Sequence, residues 1–116
     1  MFNFEKLEVW QKAIVYAGKV YRVTQEFPRE EQFGLTNQIR RAGNSVASNI
    51  AEGSARPSAD FARFLGYATG SLYEVVTQAT IARNEGFLDA AGYQQLYADA
   101  DEISRMLSGL RRSLGE

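Results

Sequence analysis

Inside four stretches of this chain the apolar residues return at alternating steps of three and four, and two prolines with a few glycines separate the stretches. That spacing places them on one face of an α-helix and is the pattern by which helices pack against helices. The first helix is predicted at about 7–26 and stops before Phe27-Pro28, because proline disfavours helix in the residue ahead of it. The second is predicted at 33–52, ending at Gly53-Ser54-Ala55-Arg56-Pro57. The third spans 58–84, with Ser58 as its N-cap and Gly86 after its end, and the fourth spans 89–114, capped by Asp89. No segment alternates with period two over a strand length. Residues 1–116 are therefore expected to form one all-α domain, an antiparallel up-down-up-down four-helix bundle.

The first helix carries two apolar stripes. Leu7, Trp10, Ile14, Ala17 and Tyr21 read as the core stripe, and Val9, Ala13, Tyr16, Val20 and Val23 form a second one on another side. A surface helix needs one such face, so the surplus points to a second contact, within the subunit or between subunits. The second helix has the core stripe Leu35, Ile39, Ala42, Val46 and Ile50, with Gly43, Ala47 and Ala51 as a small-residue edge. The third reads Phe61, Leu65, Ala68, Leu72, Val75, Ala79 and Ala82, and the fourth Leu96, Ala100, Ile103, Leu107, Leu110 and Leu114. Gly66 and Gly70 lie inside the third helix. Each lowers helix propensity by about 1 kcal/mol relative to alanine, so close backbone packing is expected there.

Composition narrows the chemistry. The chain has no His and no Cys. Ser-His-Asp triads, HExxH zinc sites, thiolate sites and disulfides are excluded, and no metal or cofactor is expected. Thirteen basic residues stand against 14 acidic ones, a net charge of −1, where a dedicated nucleic-acid binder carries a basic excess. Met1-Phe2-Asn3-Phe4-Glu5 lacks the basic and apolar regions of a signal peptide, and no apolar stretch nears the ~20 residues of a bilayer span. The expectation is a soluble cytoplasmic protein with no membrane partner.

The most informative polar feature is a stripe at helical spacing on the second helix, Gln38, Arg41, Ser45, Asn49 and Glu52, with Ser71 and Glu74 placed similarly on the third. These residues are expected to form a structural network of ion pairs and hydrogen bonds at helix–helix or subunit contacts. The competing reading is a catalytic site using Glu52, Glu74 and Arg41. Lys12, Lys19, Arg22 and Arg40 are the candidates for contact with the phosphates of RNA or DNA, Arg40 being expected to project to solvent or a neighbour.

Three blocks carry a family resemblance. They are Leu7-Glu8-Val9-Trp10-Gln11-Lys12-Ala13 with Phe27-Pro28 and Phe33-Gly34-Leu35; Gln38-Ile39-Arg40-Arg41-Ala42 with Ser45-Val46 and Asn49-Ile50-Ala51-Glu52-Gly53; and Phe61, Phe64-Leu65, Ala68 and Gly70-Ser71-Leu72-Tyr73-Glu74. In order and spacing the chain resembles the four-helix-bundle proteins encoded in intervening sequences of bacterial 23S rRNA genes. It is similar, too, to the accessory variability proteins of diversity-generating retroelements. The resemblance implies a ring-like homopentamer without known enzymatic activity, and relatives that associate with nucleic acid and a reverse transcriptase through basic surfaces. The functional expectation is a non-enzymatic homo-oligomer presenting a repeated surface to a macromolecular partner, RNA, DNA or another protein. A purely protein–protein scaffold and an enzyme built on Glu52, Glu74 and Arg41 are the alternatives.

Overall fold

A computed structural model describes residues 1–116. It contains four long helices and no strand: α1 (Glu8–Thr24), α2 (Leu35–Ser54), α3 (Ser58–Asn84) and α4 (Ala90–Ser113), with short 3-10 turns at Asn3–Lys6 and Arg29–Glu31. The longest axis of the molecule is 42 Å. That is about the length of α3 alone at 1.5 Å per residue, so the helices lie side by side.

The helix ends follow local chemistry. α1 stops three residues short of Phe27, and α2 runs on through Gly53 and Ser54. Gly53 stays helical because α3 presses against it: a Cβ there would lie 2.6 Å from the Cβ of Phe64. Ser58 is not the cap of α3 but its first helical residue. Pro57 takes the cap position, its φ of −58° preset by the ring, and no side chain caps the helix. Gly86, at φ +81°, occupies the left-handed conformation that closes α3. Asp89 caps α4 by accepting a 2.7 Å hydrogen bond from the Gly92 amide.

One continuous core joins all four helices, with Tyr16, Val20, Ile39, Val46, Ile50, Leu65, Leu72, Val75, Leu96 and Leu107 wholly buried. On α1 the assignment of the two stripes is reversed. Val9, Ala13, Tyr16 and Val20 face the core, whereas Ile14 is 46% and Tyr21 42% exposed, and Trp10 is half-buried. Both stripes share one spacing, so periodicity could not choose between them. Packing does, because Val20 must meet Gly43 of α2 and the Tyr16 hydroxyl donates to the Leu96 carbonyl of α4 at 3.2 Å. The close backbone packing expected at Gly66 and Gly70 is not found within the chain. A Cβ at Gly70 would meet nothing within 4 Å, and one at Gly66 only the tip of Arg111, so neither marks a close approach.

The contacts set the register. Ser45 meets Ser71 while Gly53 meets Phe64, so rising numbers on α2 face falling numbers on α3. Lys12 and Lys19 of α1 meet Glu102 and Asp99 of α4 in the same sense. Where the α1–α2 and α3–α4 links come together, the buried Phe27 ring lies 6.1 Å from that of Phe87.

Candidate functional site

Three surface regions carry the residues of interest, and each is built by one pair of helices. On the α1–α4 seam, Lys12 Nζ lies 2.6 Å from Glu102 Oε1 and Lys19 Nζ 2.7 Å from Asp99 Oδ2. The hydrogen bond and charge of Lys12 hold the Glu102 carboxyl below its ordinary range, and Glu102 in turn raises the lysine. Between the two pairs lies Tyr16, whose phenol is pushed up by burial and, secondarily, by the charge of Asp99. Arg40 does not project to solvent. Its Nε donates to Thr24 Oγ1 at 2.8 Å and its guanidinium covers the Tyr21 ring at 4.8 Å from the centroid. Arg22 is exposed, with no carboxylate within ion-pairing distance. Lys12, Lys19, Arg22 and Arg40 therefore do not form one unopposed basic patch.

The polar stripe divides. Ser71 Oγ donates to Ser45 Oγ at 3.0 Å, and Asn49 Nδ2 donates to Ser45 Oγ and to the Ser45 carbonyl, both at 2.9 Å. This small hydroxyl–amide cluster is the part of the expected network that forms. Arg41, Glu52 and Glu74 are exposed and none has an ion-pair partner. Gln38, Arg41, Ser45, Ser71 and Glu74 line an open groove of about 420 Å3 between α2 and α3. Glu52 is not among its walls: it stands 11 residues beyond Arg41, about 16 Å along the helix. The three side chains of an acid–base site thus do not converge. No group of three acidic residues is placed to hold a metal ion.

The groove contains one residue that the sequence reading stopped short of. Gln78 lines it, and its Oε1 is fully covered with no hydrogen-bond partner. The signal was present, since Ser71, Glu74 and Gln78 continue the steps of three and four.

The third region is apolar. Phe4, Trp10, Ile14 and Ala17 face Ala47 and Ala51 across a groove of about 350 Å3, closed by Asn44 and Ser48, and no charged side chain lines it. Phe4 packs edge-on against Trp10 at 5.2 Å, and the 71%-exposed Phe2 stacks on Phe4 at 5.7 Å. The displaced α1 stripe and the small-residue edge of α2 meet here.

A sequence profile of the family described as 23S rRNA-intervening sequence protein matches residues 5–109. The chain is also similar to a crystal structure of a protein with unknown function from the S23 ribosomal protein family of Bacteroides thetaiotaomicron VPI-5482. The TM-score is 0.79 at 23% identity, covering 89% of this chain and 97% of that one. That likeness carries the all-helical fold alone. No curated protein matches the chain. No helix is long and apolar enough to cross a membrane.

Proposed function

The chain belongs to the family of 23S rRNA-intervening sequence proteins, and on that premise we propose that it acts as a non-enzymatic, homo-oligomeric scaffold in the cytoplasm. The subunit is an antiparallel up-down-up-down four-helix bundle, the reading that the α1–α4 and α2–α3 registers support. Copies close into a ring, and the family resemblance of the sequence supports five as their number. The observation that carries the assembly is the uncharged α1–α2 groove, with Ile14 exposed and Trp10 only half-buried at the edge of the core. Ala17, Ala47 and Ala51 keep its walls low, so a neighbour's helix can approach closely and cover apolar surface, a gain of roughly 25 cal/mol per Å2. Repeating one weak site around a ring strengthens attachment to a large partner without any new contact.

Native mass measurement tests the assembly. The wild-type protein is expected to run as an oligomer at micromolar concentration, and Ile14→Glu as a folded monomer, since Ile14 is half exposed in the single chain. A wild-type monomer overturns the proposal. The macromolecule contacted is RNA or DNA, or another protein. The second of these is favoured by one observation, that Glu102 and Asp99 already neutralise Lys12 and Lys19. Retention of RNA that falls steeply with salt, and falls further in Arg22→Glu, would speak for nucleic acid.

A further inference from the structure

The α2–α3 groove is dipolar across its width. The Ser45–Ser71 hydrogen bond fixes the register, which puts Arg41 on the rung of Glu74 and Gln38 on the rung of Gln78. The α2 wall offers donors, a guanidinium and, three residues before it, a side-chain amide. Across the groove α3 offers acceptors one helical turn apart, the Glu74 carboxylate and the covered Gln78 Oε1. On the other charged seam, between α1 and α4, both carboxylates close on a cation: Asp99 on Lys19 and Glu102 on Lys12. Arg41 and Glu74 share a rung and form no ion pair, with open volume between them. A covered amide oxygen without a donor is destabilising, so the part-exposed Gln78 side chain gains by turning that oxygen into the groove when a ligand brings a donor.

We propose that this groove binds a small zwitterion of the α-amino acid class, its carboxylate against Arg41 and its ammonium against Glu74 and Gln78. A guanidinium fork matches a carboxylate through two parallel hydrogen bonds, and Gln38 adds a third donor on the same wall. The ammonium carries three donors and no acceptor, so it satisfies Glu74 and the Gln78 oxygen together. Ser45 and Ser71, bonded to each other, leave the far end of the groove small and polar. The cavity of about 420 Å3 lies within the range of small-molecule sites. The site is formed by one chain, so it stands or falls independently of assembly.

Calorimetric titration of the intact protein tests this with a panel of free L-amino acids, each beside its N-acetylated acid and its decarboxylated amine. At least one amino acid is expected to bind, with each half-ligand weaker by about tenfold or more, the worth of one charge-assisted contact. Arg41→Gln and Glu74→Gln, both at exposed positions, are each expected to weaken it by about tenfold or more. Gln78→Met is expected to weaken binding while raising the melting temperature of the ligand-free protein, because it removes the orphaned oxygen. Two results would overturn the proposal: no member of the panel binds at millimolar concentration, or binding survives unchanged in both Arg41→Gln and Glu74→Gln.

Discussion

Along the α1–α4 seam Lys12 and Lys19 each reach a carboxylate on the opposite helix, whereas along the α2–α3 seam Arg41 and Glu74 share a rung and reach nothing. Both seams hold the same ingredients, a cation on one helix and an acid on the next. What differs is the residue beneath them. Under the lysines Tyr16 fills the seam and ties its hydroxyl to Leu96, leaving a space of about 160 Å3. Under Arg41 the floor is Ala42 with two serines, and about 420 Å3 stays open. An exposed ion pair is worth at most about 1 kcal/mol, too little to draw two helices together over an empty floor. Bulk in the layer below therefore decides whether opposite charges close or stay available.

The largest effect that would break this comparison comes from removing the filled floor. Tyr16→Ala is expected to cost about 4 kcal/mol, the usual loss for a buried aromatic residue, in chemical denaturation. It should loosen both lysine pairs as well, turning the α1–α4 seam into a second open groove. A loss below about 1 kcal/mol would mean that Tyr16 does not support the seam.

A smaller effect separates a crowded glycine of α2 from an open one of α3. Gly53→Ala places a methyl 2.6 Å from the Phe64 Cβ, where α3 packs on α2, and is expected to cost about 2 kcal/mol. Gly70→Ala meets nothing within 4 Å in the chain and gains helix propensity, so it is expected to stabilise by about 0.5–1 kcal/mol. Thermal denaturation of the pair checks both signs. Destabilisation by Gly70→Ala would place a neighbouring copy against that face of α3.

How far these features could be read from the sequence follows from what periodicity encodes. Helix existence was legible because Leu65, Leu72, Val75 and Ala79 can share a face only at 3.6 residues per turn. The inward side of α1 was not, because Ile14 and Tyr16 belong to equally regular stripes. Only a partner settles it, Gly43 admitting Val20 and Leu96 accepting from Tyr16. The polar groove was legible as a set of side chains, from Gln38 to Glu74, yet not as a groove. Spacing along one helix says nothing of the distance to the next. The pairing of Lys12 and Lys19 was hidden for the same reason, since Asp99 and Glu102 lie about 80 residues away or more in the chain. Arg40 was misjudged because a guanidinium lying flat on an aromatic ring looks, in sequence, like any exposed base.

The smallest expected effect is a titration. Lys12 holds the Glu102 carboxyl below its ordinary value of 4.5, chiefly through their hydrogen bond and then through charge. A folded value below the unfolded one contributes stability that is complete above pH 4.5 and is lost as pH falls through the lower, folded value. Asp60 follows the same sign under Arg63 and Arg56, from an ordinary value of 3.8. Lys12→Gln is therefore expected to flatten the acid limb of the stability–pH curve and to move the Glu102 carboxyl titration, followed by NMR, up towards 4.5. Arg41→Gln, whose guanidinium touches no carboxylate, serves as the control and keeps the wild-type limb. If it flattens the limb as much as Lys12→Gln does, the α2–α3 pair closes in solution. The contrast between a filled and an unfilled floor would then vanish, and with it the open groove.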